Sequence, residues 1–401
     1  MSALPPQQIQ AQCAVHKVMP TDLGIAAKAR WTVAPTAAAF IGTTAFSGHW
    51  QLLSLAAFLP FVLSLATTRW QAFATALTYQ LAASRGLLLG AADFFGTSLM
   101  FGEVIWLFGN LVSALTYGLL WSKVWPRRIC GVMVAMAMLA VPPLGTFGWT
   151  SPITSAGALY PGLGALGILL TLGLMATLAA RRWRLCSCLL FFSLAANLTY
   201  RPTSDPRFEG LTTSYGPPSA TLTADYERQL GLLNALSQAS SRVVVLPESS
   251  LTQWNEVSAK LWTGRMPANK TALLGSTTVT AGEQKPSNTM VILHAGVAHL
   301  YRQRQPVPLS MWRPWSSGGY AAHWFEAPVV AVSGAKVAPL ICYEAFLVWP
   351  VVQSMLGGAD HIVVLSNLWW AVKTSIPQGQ RSIVAAWARL FSAPYVLAVN
   401  T

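Results

Sequence analysis

Lys336-Val-Ala-Pro-Leu-Ile-Cys342-Tyr343-Glu344 is an apolar, β-forming run that stops on a thiol and a carboxylate. A short apolar run of this kind, bounded by polar residues, predicts a buried strand over 336–342. A second run, Arg242-Val-Val-Val-Leu246, stops in the same way on Pro247-Glu248-Ser249. Around these two, the periodicity predicts helices over 223–240, 255–262, 346–357 and 378–392. It predicts further strands over 271–280, 289–295, 297–304, 328–333, 361–366 and 395–399. Strands mixed with helices in this way indicate an α/β domain over residues 223–401.

Strand ends are where α/β folds display reactive groups. A thiol becomes a nucleophile once deprotonated, and a neighbouring carboxylate is a suitable base. Glu248 and Cys342 therefore form a candidate catalytic pair. Each also has a plain structural reading, Glu248 as a cap of the following turn and Cys342 as a buried core thiol.

Upstream of residue 200 the chain has a different texture. Of the 401 residues 53% are hydrophobic and only 10% charged, against about 25% charged in an ordinary soluble domain. The acids before Tyr200 are Asp22, Asp93 and Glu103 alone, and the others lie between Asp205 and Asp360. Apolar segments near the roughly 20 residues needed to span a bilayer lie at 31–47, 50–67, 71–91, 104–121, 129–147, 157–180 and 185–199. A polar leader over 1–30 precedes them, and a Pro/Gly/Ser/Thr-rich linker over 200–222 follows.

The basic residues alternate between loops. Lys17, Lys28 and Arg30 stand in the leader, Arg69 follows the second segment, Lys123, Arg127 and Arg128 the fourth, and Arg181, Arg182 and Arg184 the sixth. The intervening loops carry none. The positive-inside rule then predicts a multi-pass inner-membrane protein with a cytoplasmic N-terminus and a periplasmic C-terminal domain. The same pattern assigns the net charge of +13 to topology and the lipid bilayer, with no direct nucleic-acid binding expected. Arg85 falls inside the third segment, either as a functional charge or as a side chain snorkelling to the outer interface.

Five cysteines, at 13, 130, 186, 188 and 342, leave only Cys342 in the domain, and none has metal-ligand spacing with histidine. No metal or cofactor is implied. Trp312, Trp315, Trp324, Trp369 and Trp370 lie near the candidate site in sequence, as interfacial or as buried aromatics.

Taken together, Val243 to Ser249, Leu340 to Glu344 and Ser366-Asn367-Leu368-Trp369-Trp370 resemble motifs of the carbon-nitrogen hydrolase (nitrilase) superfamily. The architecture is similar to its apolipoprotein N-acyltransferase branch. The resemblance implies a polytopic α-helical membrane bundle followed by a nitrilase-like αββα sandwich. It implies Glu248 as general base, Cys342 as the nucleophile that forms a thioester, Glu344 as an accompanying acid, and Asn367 and Trp369 as substrate-shaping residues. It also implies a phospholipid or lipoprotein substrate. The family's oxyanion lysine falls on Gln303, in Tyr301-Arg-Gln303-Arg-Gln-Pro, and Met311 and Leu368 replace two further acids. Loss of one oxyanion donor raises a barrier by about 2.7–4 kcal/mol. Arg302 and Arg304 are expected on the opposite strand face. Leu81 to Leu87, Gly148 to Gly157 and Pro306 to Trp315 resemble a narrower family of conjugal transfer membrane proteins from agrobacterial and rhizobial plasmids. That family implies a role assisting plasmid transfer, conjugation-apparatus proteins as partners, and degenerate catalysis as one expectation beside a working acyltransferase.

Overall fold

The computed structural model describes residues 20–218, 221–279 and 282–401, with only the backbone described over 20–30. Residues 1–19 of the expected leader, with Cys13 and Lys17, lie outside the described residues. The N-terminal half comprises α1 (Pro20–Ala45), a 3-10 helix (Trp50–Phe58) running into α2 (Leu59–Ser64), α3 (Arg69–Ala83) and α4 (Gly86–Phe95). Then come α5 (Leu99–Leu119), α6 (Trp125–Met138), α7 (Ala156–Leu159), α8 (Gly164–Ala179) and α9 (Trp183–Thr199).

Several expectations are corrected here. Helix α1 begins inside the stretch read as leader. The third apolar segment is not one helix. It breaks at Ser84-Arg85, where Arg85 Nη1 donates to the carbonyls of Thr43 and Ala82 at 3.1 and 3.2 Å. Those carbonyls lie at the C-terminal ends of α1 and α3, where a cation is favoured. Arg85 thus closes two helix ends. The segment 157–180 is also broken: residues Pro152–Leu159 and Gly164–Ala179 meet at 116°. Among the described residues, Leu99–Leu119 is by itself the one helix long and apolar enough to cross a membrane.

Long polar side chains and glycines fix how these helices pair. Helix α5 runs along α4 and α3 together: Gly102 fits against Leu88, Trp106 Nε1 donates to Leu81 O, and Asn110 Nδ2 donates to Ser84 Oγ. At one end of the bundle the turns 64–69, 120–128 and 180–184 meet. There Arg128 donates to Ser64 O and Ser122 O at 3.0 and 2.8 Å, and Trp121 Nε1 to Ala66 O at 3.1 Å. The other end meets the C-terminal half, where Gly90 lies on Trp370 and Arg389 Nη2 donates to Asn197 Oδ1.

Residues 200–222, expected as a linker, carry β1 (Phe208–Gly210) and β2 (Thr212–Thr213). After them come α10 (Leu222–Gln238), β3 (Val243–Val245), α11 (Glu256–Arg265), β4 (Thr271–Thr278), β5 (Ser287–His294) and β6 (Val297–Arg302). The chain ends with β7 (Val330–Val332), β8 (Ala335–Ile341), α12 (Val348–Leu356), β9 (His361–Asn367), α13 (Ile376–Phe391) and β10 (Tyr395–Asn400). One five-stranded sheet has the order β1-β3-β4-β5-β6 and the other β2-β10-β9-β8-β7. The short segment between them belongs to both, because Leu211 N donates to Val245 O and Leu211 O accepts from Val399 N.

Side-chain alternation builds four layers. Val243 and Val245 face inward with Leu273, Ile341, Val363 and Leu365 to fill the space between the sheets. Val244, Ala272 and Val291 face the other way, against Leu232 and Leu236 of α10 and Trp262 of α11. On the second sheet Leu340, Ile362 and Val364 point to α12 and α13, and the same core continues into the helical half. The α/β domain is therefore a helix–sheet–sheet–helix sandwich whose last helical layer is itself covered.

That covering is close. A Cβ on Gly157 of α7 would stand 1.8 Å from the Ala386 carbonyl of α13. Gly157→Ala is accordingly expected to force the two halves apart locally, at the cost typical of overpacking, about 1–3 kcal/mol. The check is the thermal midpoint of the detergent-solubilised protein, and an unchanged midpoint would contradict this packing.

Candidate active site

Two strand ends bring the expected pair together. β3 delivers Glu248, which a close backbone approach holds in place: a Cβ on Gly275 of β4 would lie 2.5 Å from Glu248 Cα. β8 delivers Cys342, whose φ is +48°, a left-handed conformation that a residue with a Cβ adopts at a cost. Two buried bonds impose it. Glu344 Oε2 accepts from Ile341 N at 2.8 Å just before the turn, and Gln380 Nε2 of α13 donates to Cys342 O at 2.9 Å.

The Glu248 carboxylate stands beside the Cys342 thiol, near enough for each to act on the other's ionisation. Its Oε1 accepts from Asn288 Nδ2 at 2.7 Å, and its Oε2 from the Asn367 backbone N–H at 3.2 Å. Burial pushes Glu248 up to about 7, against the smaller opposing pull of the thiol and Asn288. Burial, and next the Glu248 charge, push Cys342 well above the ordinary thiol range. At neutral pH the pair therefore rests as a thiol beside a carboxyl group near its midpoint.

A linkage prediction follows from Glu248. Its folded value lies above its unfolded one, so its contribution to stability is complete below pH 4.5 and is lost as pH rises through about 7. The thermal midpoint should fall across that window in wild type and fall less in Glu248→Gln. Parallel curves for the two proteins would refute the assignment.

Gln303 reaches the site as expected of the oxyanion position, but its amide is engaged. Nε2 donates to Ile341 O at 2.8 Å, and Oε1 accepts from Asn288 Nδ2 at 2.9 Å. Among the described residues no cation takes the place expected of an oxyanion lysine. Arg302 pairs with Glu326 and Glu283 at the surface. Arg304 is fully buried, yet it bonds Tyr301 Oη, Gln353 Oε1, Ser354 Oγ and Pro339 O, with Glu344 Oε1 at 3.9 Å from its Nε.

Glu344, expected among the catalytic residues, is placed otherwise. Its Oε1 accepts from the backbone N–H groups of Arg304 and Gln305 at 2.7 and 3.1 Å, which ties the loop after β6 to the turn at Cys342. Its hydrogen bonds hold the backbone on both sides of the site. Burial raises its pKa, and Arg304 opposes the rise.

Asn367 contributes its backbone N–H to Glu248, while its Oδ1 accepts from Asn400 Nδ2 at 2.8 Å. Trp369 stacks on Phe94 of α4, centroids 6.3 Å apart, and lines a cleft of about 490 Å³ with Asp93, Thr97, Trp370 and Lys373. Tyr343 Oη donates to Thr146 O at 2.5 Å, so the residue after Cys342 is seated on the helical half. Trp324 bonds Gln305 and packs on Trp312, whereas Trp315 is exposed.

Sequence reasoning missed Asn288 and Gln380. The signal for the first was Ser287-Asn288-Thr289, three polar residues opening an otherwise apolar strand. Gln380 had only its place on the apolar face of a strongly amphipathic helix. Among the described residues no cluster of histidine, cysteine and carboxylate has the form of a metal site.

No protein-family model matches the chain. A probable conjugal transfer protein TraB of Sinorhizobium fredii is 37% identical over 376 residues, covering 90% of this chain and 96% of that protein. The conjugal transfer protein TraB of Agrobacterium fabrum is 34% identical over 383 residues, covering 90% of each. Among solved structures, a carbon-nitrogen hydrolase from Helicobacter pylori aligns at 13% identity and a TM-score of 0.40, covering 48% of this chain and 73% of that one. An amidase of the nitrilase superfamily from Nesterenkonia aligns at 13% identity and a TM-score of 0.33, covering 42% of this chain and 68% of that one.

Proposed function

Because the chain belongs to the TraB family of conjugal transfer proteins, we propose that it assists conjugal plasmid transfer as a multi-pass inner-membrane protein. In this reading the N-terminus is cytoplasmic and the nitrilase-like domain periplasmic, with conjugation-apparatus proteins as its partners. Support for the membrane comes from large apolar side chains that the helical half leaves uncovered, among them Met100, Phe108, Leu119, Phe191 and Leu198. Support for the orientation comes from the basic turns 64–69, 120–128 and 180–184 gathering at the end away from the domain. A phosphatase fused after residue 210 should be active and one fused near Lys123 inactive; the reverse would sink the orientation.

The site is read as degenerate. One observation carries this: Glu248 stands beside Cys342, but among the described residues no cation acts on the pair. Glu248 takes the thiol proton, the sulfur attacks an acyl carbonyl, and the leaving group departs with that proton, leaving a thioester on Cys342. An amine or water, deprotonated by Glu248, then releases the acyl group and the thiol regains its proton. Neutral donors alone face the developing oxyanion, which makes both steps slow.

A functional lipoprotein N-acyltransferase is the second reading, favoured by the cleft at Trp369 and Trp370, against which the exposed Phe94 packs. An acyl-donor probe compared on wild type, Cys342→Ala and Glu248→Gln separates the two. Labelling that needs both residues, with plasmid transfer abolished in Cys342→Ala, supports the enzyme. Full transfer in that strain supports a domain that acts by binding.

A further inference from the structure

The end of the bundle remote from the domain carries an electrostatic arrangement that orientation alone does not require. Helix α3 begins at Arg69, α6 carries Arg127 and Arg128 in its first turn, and α9 is entered through Arg181 and Arg182 and carries Arg184. These are helix N-termini, which hold a partial positive charge and favour acids. No acid stands in the first turn of any of the three. Loop charge anywhere on this side would serve topology equally.

The three turns form one surface. Arg128 bridges the first two by donating to Ser64 O and Lys123 O, and its guanidinium lies 4.9 Å over Trp121. Arg181 lies 4.9 Å over Trp125 and joins the third, and Trp183 packs on Phe61. Arg128 and Arg181 thereby serve as the floor. Lys123, Arg127, Arg182 and Arg184 are exposed around it. None of these four side chains makes a hydrogen bond or ion pair with any described residue. Cations placed against helix dipoles and against each other repel unless an anion sits among them.

We propose that this end is a binding surface for the headgroup phosphate of an anionic phospholipid; the proposal rests on the membrane reading above. The neighbouring surface favours lipid over nucleic acid. Trp70 and Trp183 are exposed beside the cations, with Leu119 and Leu185 exposed just beyond them along the helices. Tryptophans between a basic rim and an apolar band match the interfacial layer of a bilayer. A polyanion in water would meet that apolar band unfavourably. A lipid engages both parts at once, its phosphate on the arginines and its chains on the band.

The test uses the full-length protein, delipidated in detergent, with short-chain phosphatidylglycerol and phosphatidylcholine titrated and binding followed by native mass spectrometry. Each cation near an anionic headgroup changes affinity by about fivefold. Arg127→Gln/Arg182→Gln/Arg184→Gln should thus lose about a hundredfold for phosphatidylglycerol and leave phosphatidylcholine unchanged. Should the triple variant fail to accumulate, Arg182→Gln alone should lose about fivefold and Arg182→Lys restore it. Equal affinity for the two lipids, or an unaltered variant, overturns the proposal. So does displacement of the lipid by inorganic phosphate, or by a short DNA duplex, at matched concentration. Failure of the membrane reading looks different: alkaline carbonate would then release the protein from membranes without detergent.

Discussion

Gln303→Lys is expected to raise the rate of Cys342 acylation by an activated ester about 100- to 1,000-fold. The Gln303 side chain is fully buried, and its amide touches the Ile341 carbonyl and Asn288, one bond from Glu248. An unbranched lysine fits that path, keeps the bond to Ile341 O, and has further N–H donors to turn toward an oxyanion. Its charge would also favour the ionised forms of Glu248 and Cys342, drawing both pKa values down and moving the acid limb of the labelling profile to lower pH. Intact-mass kinetics with an acyl probe, run against the Gln303→Lys/Cys342→Ala double variant as control, measures the effect. A rate equal to wild type would show that the missing cation is not what slows the site.

Glu344→Ala is expected to cost about 3–5 kcal/mol, the usual result of removing one member of a buried ion pair. For a domain of this size that corresponds to a fall in thermal midpoint of roughly 10 °C or more. The carboxylate is fully buried and holds three backbone N–H groups, at Ile341, Arg304 and Gln305, beside the Arg304 guanidinium. Its removal leaves the three N–H groups without their acceptor and the Arg304 guanidinium without its counter-ion. Replacing Arg304 and Glu344 together with methionine should recover much of the loss, because no charge then remains buried. A stable Glu344→Ala protein that merely labels slowly would instead make Glu344 part of the chemistry.

These two residues mark the limit of what could be read from the sequence. Glu248 and Cys342 were legible because each follows a strand whose apolar run is visible in one dimension, whereas Gln303 was reached only through the family resemblance of its segment. The role of Glu344 was not, since its partners come from a loop 40 residues earlier. Asn288 reaches Glu248 and Gln303 from another strand and Gln380 reaches Cys342 from a helix, and nothing local distinguishes them from other polar residues in strands and helices. In the helical half the apolar stretches were found but not their breaks. Ser84-Arg85 reads as helix on composition, and it bends because the C-terminal carbonyls of two helices converge on one guanidinium. The stretch 200–222 reads as linker because its strands are too short to carry an alternating pattern.

Leu211 gives its amide to one sheet and its carbonyl to the other, immediately after the last helix of the bundle. That geometry sets an order of assembly. β2 waits for β10, made far later in the chain, and pairs with it at Val399 and Asn400. During synthesis the second sheet therefore keeps an open edge until β10 has been made, already anchored at residue 200 to the helices that precede it. A fragment starting at residue 223 would lack the terminal strand of both sheets. The domain has no independent beginning, and a split protein would have to exchange strands to exist at all.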